Sequence, residues 1–213
     1  MRKTFKKLIS IFLITLLLLS FTVPALASSG WWIQEGSTWY YRQANGVRAT
    51  GWLLDNSSWY YLRPSDGAMQ TSWQQIGGIW YYLQQDGAMA TAWQMIGNNW
   101  FFFQPSGAMV TGWQVINKVW YFFKTNGEMA TGWQFINDKW YYLESSGELI
   151  TGWLQQGAYW YFMHPEGDMA TGWLAQGSTW YYLLSSGVMA TGIVTIDGIR
   201  HEFATNGTWL RAL

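Results

Sequence analysis

Tryptophan returns along this chain on a fixed period. Aligned on the first ring of each unit, the starts fall at Trp32, Trp52, Trp73, Trp93, Trp113, Trp133, Trp153 and Trp173, twenty residues apart with a single step of twenty-one. The longer step carries one extra residue in LRPSDG, Leu62–Gly67, and a ninth, degenerate copy begins at Ile193. A unit this short cannot enclose a core of its own. Apolar surface must therefore be buried between successive units, which is the sequence signature of a solenoid or array.

Two punctuation points divide each unit. Four residues after the leading tryptophan stands Gly or Asn: Gly36, Asn56, Gly77, Gly97, Asn117, Asn137, Gly157 and Gly177. These residues tolerate positive φ, so the position predicts a tight turn. Later in the unit comes an unvarying glycine (Gly46, Gly67, Gly87, Gly107, Gly127, Gly147, Gly167, Gly187 and Gly207), usually preceded by Asn, Asp or Ser. Those side chains favour turns by bonding to the backbone just beyond them. Between the two points lie short β-favouring runs such as TGWQFI and KWYYLE. Each unit thus reads as a β-hairpin plus a connector, and since one hairpin is marginal alone in water, neighbours must stack.

Period-two alternation sorts the rings of WYYL, placing Trp140 with Tyr142 on one face and Tyr141 with Leu143 on the other. The expectation is that Tyr141, Leu143 and Ile136 fill the core, while Trp133, Trp140 and Tyr142 line the groove between hairpins. The paired tryptophans persist through eight units although a core position would accept Leu or Ile, and both are lost together in unit nine. That coupling favours a shared ligand role for the pair, although a terminal cap would also explain it.

The ends and the composition narrow the setting. Four of the twelve basic side chains lie in MRKTFKK, leaving eight against twelve acidic ones, so a nucleic-acid partner is disfavoured. The basic start is followed by the apolar run Leu8–Val23 and by Pro24-Ala25-Leu26-Ala27. This order predicts a secretory signal over 1–27 with cleavage after Ala27. A run of sixteen residues interrupted by two serines is short for a membrane anchor, and nothing in the remaining chain, 28–213, is expected to span a membrane. Cysteine is absent, so disulfides cannot supplement a thin core. Neither His164 nor His201 stands near a predicted nucleophile. The carboxylates recur at no common repeat position and form no catalytic pair, so no metal site, calcium array, glycosidase or other catalytic residue is expected.

The pattern TGWxxxxxxWYYLxxxGxM, as in TGWLAQGSTWYYLLSSGVM (Thr171–Met189), closely resembles the choline-binding (cell-wall-binding) repeat of Gram-positive bacteria and their phages. The resemblance covers essentially all of 28–213 and implies an all-β fold, a left-handed β-hairpin solenoid of about nine 20-residue repeats. It further implies a secreted, non-catalytic protein held non-covalently on the cell wall, with choline or phosphocholine of teichoic or lipoteichoic acid as ligand and no cofactor. A homodimer is also compatible with it. The chemistry agrees: a quaternary ammonium cannot donate a hydrogen bond, and aromatic faces attract it.

The resemblance places each choline site on both tryptophans of one repeat and an aromatic of the next. The last triplet member is chosen because it shares a face with tryptophan. The expected sites are Trp32, Trp39, Tyr61; Trp52, Trp59, Tyr82; Trp73, Trp80, Phe102; Trp93, Trp100, Phe122; Trp113, Trp120, Tyr142; Trp133, Trp140, Phe162; and Trp153, Trp160, Tyr182. Methionines of the Gly-x-Met connectors (Met69, Met89, Met109, Met129, Met169 and Met189) are expected as a polarizable wall. In repeat nine Arg200, His201 and Glu202 replace the triplet. The residues 191–213 are therefore expected to act as a polar cap that leaves Trp173 and Trp180 without a third wall. Polysaccharide binding of the glucan type, with rings stacking on sugars, is the competing function. A stalk whose rings are purely structural is the third.

Overall fold

The computed structural model describes residues 30–213, and the expected secretory segment lies outside the described residues. Two units are distinguished, one running to Met69 and the other Gln70–Leu213. The fold is all-β. Among the described residues there are nine antiparallel hairpins in series, from Trp31–Glu35 paired with Thr38–Arg42 to Gly192–Ile196 paired with Ile199–Phe203. They are numbered here in chain order, so the first unit holds hairpins one and two. In hairpin nine the strand Trp209–Ala212 adds a third member.

Every hairpin turns on two residues, and the sequence chooses between two turn geometries. Where Asn leads, both residues adopt positive φ, as at Asn137 (49°) and Asp138 (62°). This is the type I′ pattern, which Asn enters readily. Where Gly leads a non-glycine, as at Gly97 (62°), the glycine alone is at positive φ, which matches type II′. A third positive-φ position escapes the two-point reading. It lies just before the leading tryptophan, at Gly132 (70°) and its equivalents, and is filled by Ser72 (65°) and Ala92 (58°) in two repeats.

The register fixes what each face carries. In hairpin six, Trp133 lies opposite Tyr142 and Phe135 opposite Trp140, while Gln134 faces Tyr141 and Gly132 faces Leu143. The expected alternation within the triplet is therefore present. The innermost column is the residue that follows each triplet. Leu83, Phe103, Phe123, Leu143, Met163 and Leu183 are each 0% exposed in the second unit, as is Leu62 in the first. Tyr141 and Ile136, expected beside Leu143, are only half-buried. The core is completed instead by connector residues before the TGW run, Ala90, Val110, Ala130, Ala170 and Ala190, all buried. Small side chains fit there because the connector folds back against its own hairpin, with Ala130 N–H donating to Phe122 O at 2.8 Å.

Connectors also join neighbours. Met129 N–H donates to Trp100 O, Met169 to Trp140 O and Met189 to Trp160 O, each at 2.8 Å, and Leu149 donates to Trp120 O at 3.0 Å. The connector after one hairpin thus satisfies a backbone carbonyl on the exposed edge of the hairpin before it, which would otherwise be an unpaired edge group. The unvarying glycine follows from the same stacking. Gly147 sits at φ 86°, and a Cβ there would run into the thioether of Met129. At the equivalent Gly127 and Gly87 the turn is set locally in the way the Asx pattern implies, with Glu128 N–H donating to Asn126 Oδ1 at 3.1 Å and Ala88 N–H to Asp86 Oδ1 at 3.0 Å.

Candidate functional site

The paired tryptophans form two walls at nearly a right angle. In hairpin six the rings of Trp133 and Trp140 are 6.3 Å apart at 85°, and the pairs in hairpins three, four, five, seven and eight repeat this at 6.1–6.4 Å and 80–89°. Trp52 and Trp59 in the first unit do the same at 6.4 Å and 88°. The second tryptophan stays open to solvent, with Trp80 at 42%, Trp140 at 43% and Trp160 at 38% exposed. A ring kept only to fill a core would be withdrawn from water further than this.

The third wall differs from the expected one. Trp133 is met by Tyr161 of hairpin seven, at 4.9 Å and 63°, and not by Phe162. Phe162 stands opposite Trp153 in its own hairpin, 5.2 Å away, and lies buried with Ala170 and Leu183. The same exchange recurs along the chain. Trp32 meets Tyr60, Trp73 meets Phe101, Trp93 meets Tyr121, Trp113 meets Tyr141 and Trp153 meets Tyr181, all at 4.8–5.0 Å. The expected third rings Tyr61, Tyr82, Phe102, Phe122, Tyr142 and Tyr182 each lie beside the leading tryptophan of their own hairpin, at 5.0–5.2 Å. The reason is geometric. The tryptophan face of one hairpin meets the opposite face of the next, so the approaching ring comes from the face that does not carry tryptophan.

A cavity of about 290 Å³ opens at this junction, lined by Trp133, Trp140, Tyr161 and Met169, with Ser185 and Ser186 at its rim. Met169 belongs to the connector whose N–H binds Trp140 O, so one backbone bond places the methionine beside the tryptophan it serves. Polar side chains flank the tryptophans without entering between them. Gln134 Nε2 donates to Thr131 O at 2.8 Å, a bond repeated by Gln74, Gln94 and Gln114. Lys139 Nζ bonds Asp168 at 2.8 Å across the repeat boundary, and that bond raises its pKa. Burial raises the phenol pKa of Tyr81, Tyr121 and Tyr141. These walls accordingly stay neutral, aromatic and poor in competing hydrogen-bond donors. The described residues include no cluster of His, Asp and Glu able to hold a metal.

Both ends of the repeat series depart from the pattern. Arg48 takes the methionine position in the first connector, pairs with Glu35, and lays its guanidinium 3.8 Å over the ring of Tyr40. A cation supplied by the chain thus covers the middle triplet ring of hairpin one. At the other end, the expectation that Trp173 and Trp180 lack a third wall is not met. His201 lies 5.2 Å from Trp173, and Trp209, at the methionine position, lies 6.0 Å from it. The expectation rests on Arg200, His201 and Glu202 standing in place of the triplet, with Arg200 unsuited to a cation site. The alternation turns His201, and not its neighbours, toward Trp173.

Fold and site together define an aromatic repeat protein with boxes of rings at hairpin junctions. The choline-binding repeat matches over residues 28–72, 70–111, 110–152 and 150–192, and the chain belongs to that family. It is similar to CbpJ from Streptococcus pneumoniae TIGR4, at 42% identity and TM-score 0.76 over 81% of this chain and 62% of that one. Choline binding protein F from Streptococcus pneumoniae is similar at 40% identity and TM-score 0.74, over 81% of this chain and 61% of that one. The choline-binding domain of CbpL from the same species matches at 32% identity and TM-score 0.62, over 85% of this chain and 97% of that one. The chain thus spans about three fifths of the length of CbpJ and of choline binding protein F. A comparison with curated proteins returns no match.

Proposed function

We propose that this chain is a non-catalytic, secreted module that binds the choline of teichoic or lipoteichoic acid and so attaches to the cell wall. The observation that carries this reading is the box at the hairpin junction: two perpendicular tryptophans, one half-open to solvent, closed by a ring and a methionine from the next repeat. A trimethylammonium group needs several π faces and no hydrogen-bond partner, which is what these walls offer. Each ring contributes about 0.5–2 kcal/mol, so three together approach the roughly −4 kcal/mol of a millimolar site. Single sites of that strength hold a polymer only when several act together, and a series of repeats supplies them.

In this reading Trp133 and Trp140 are two walls of one site, with Tyr161 and Met169, in place of Phe162, as the completing side chains. By the same geometry the further sites use Trp73, Trp80 and Phe101; Trp93, Trp100 and Tyr121; Trp113, Trp120 and Tyr141; and Trp153, Trp160 and Tyr181. Sugar stacking is less well served. An extended sugar face wants a flat, open platform with polar partners, whereas these rings meet edge to face and the adjoining amides are already bonded to the backbone.

Retention on an immobilised tertiary-amine resin tests the reading. The protein should be held and then eluted by free choline. Elution by glucan alone would support sugar binding, and passage straight through the column would leave a structural stalk.

A further inference from the structure

The last box is chemically unlike the others. A cavity of about 430 Å³ is lined by Trp173, Trp180, His201 and Trp209. Trp180 stands 6.3 Å from Trp173 at 81°, and Trp209 lies at 90° to Trp173, so three indoles and one imidazole line a space that stays open to solvent. The imidazole takes the place held elsewhere by Tyr or Phe, and Trp209 takes that of methionine. Trp209 Nε1–H donates to His201 Nδ1 at 3.1 Å. An indole nitrogen can only donate, so Nδ1 must carry a lone pair and the ring proton sits on Nε2. His201 Nδ1 is therefore the acceptor that holds the indole of Trp209 beside the imidazole.

We infer that Trp173, Trp180, His201 and Trp209 form an additional quaternary-ammonium site that empties when His201 takes up a proton. This rests on the choline reading of the other boxes. Imidazole is the side chain that changes charge in mildly acidic conditions. Protonation at Nδ1 sets two donors against each other, breaks the bond that holds Trp209 in place, and puts a positive charge into the wall that should face a cation. No other lining residue titrates. Of the neighbouring strands, Gly192–Ile196 presents uncharged Val194 opposite His201, and Trp209–Ala212 presents Ala212. The nearby charges are Arg200 and Glu202, which flank His201 and alternate to the other face, and Arg211, whose Nε bonds Glu202 at 2.8 Å. Glu202 is thereby already partnered. The boxes closed by Tyr or Phe have no such group and should hold choline across the same range.

The test follows the indole N–H signals of Trp180 and Trp140 in the full chain during choline titration, at pH 7.5 and pH 5.0. Both signals should respond at pH 7.5. At pH 5.0 the choline concentration that half-saturates Trp180 should rise roughly tenfold or more, as expected for a cation facing a newly charged wall, while that for Trp140 stays unchanged. In His201→Tyr the Trp180 response should become pH-independent. No response of Trp180 at pH 7.5, or an equal response at both pH values while Trp140 binds normally, would overturn the inference. Silence of Trp140 as well would instead sink the choline reading. Should His201→Tyr fold poorly, Trp209→Met serves in its place: it removes the indole bond but keeps the imidazole, so acid should still weaken the site.

Discussion

Ala92 is held at φ 58° where most repeats place glycine. A side chain with Cβ pays about 1–2 kcal/mol for left-handed backbone, and glycine returns roughly half of that through its unfolded-state freedom. Ala92→Gly should therefore raise the thermal midpoint by about 2 °C, on the usual scale for a chain of this size. The equivalent glycines have open space around them, so the gain is one of backbone conformation alone. Gly147→Ala reverses the argument, because φ is 86° and Met129 occupies the space. A loss of about 2 kcal/mol or more is expected, read as a lower midpoint in thermal unfolding. Tyr81, Tyr121 and Tyr141 add a pH dependence. Burial raises their pKa values, so the folded chain keeps these phenolic protons to higher pH than the unfolded chain does. Their contribution is intact below about pH 10 and is lost as pH rises through the folded-state values. The thermal midpoint should drop in that alkaline window, and by less in Tyr141→Phe.

At the scale of the hairpin, adjacent residues of one triplet separate into different jobs. Tyr161→Ala should remove one choline site in calorimetry while lowering the thermal midpoint only slightly, since Tyr161 lines an open box. Phe162→Ala should do the opposite. It empties a position 8% exposed beside Ala170 and Leu183, at a cost of about 3 kcal/mol, and leaves the ring set at Trp133 complete. The strands, their turns and the alternation within WYYL were legible because each depends on local spacing. Which triplet ring closes the box was not, because that depends on which face of the next hairpin arrives, and no spacing within a repeat encodes it. The turn at Gly132 went unread for a related reason: Ser72 and Ala92 stand at its equivalents and hide the demand for positive φ. The buried alanine column before TGW carries little hydrophobic signal, and its burial comes from the connector folding back.

For the whole molecule, the repeat makes binding collective. Replacing Trp133 and Trp140 together by Ala should lower affinity for a choline-bearing polymer more than its single lost site suggests, while the remaining sites keep their affinity for free choline. Surface plasmon resonance on choline-decorated polymer, set beside calorimetry with choline itself, separates the two effects. The period of twenty made the nine-hairpin series readable from the sequence alone. The two ends were not readable in the same way. Arg48 over Tyr40 and His201 against Trp173 occupy repeat positions whose substitutions look like decay, and only their partners in space give them a role.

The central claim is that the boxes between hairpins receive a trimethylammonium group, and a crystal structure of the protein grown with choline tests it most directly. The account predicts the ligand nitrogen within about 6 Å of the ring centres of Trp133, Trp140 and Tyr161, the range over which a cation is held by a π face, with Met169 beside it and the same arrangement in the equivalent boxes. Choline bound against Phe162, or boxes that remain empty while choline binds elsewhere on the chain, would contradict it.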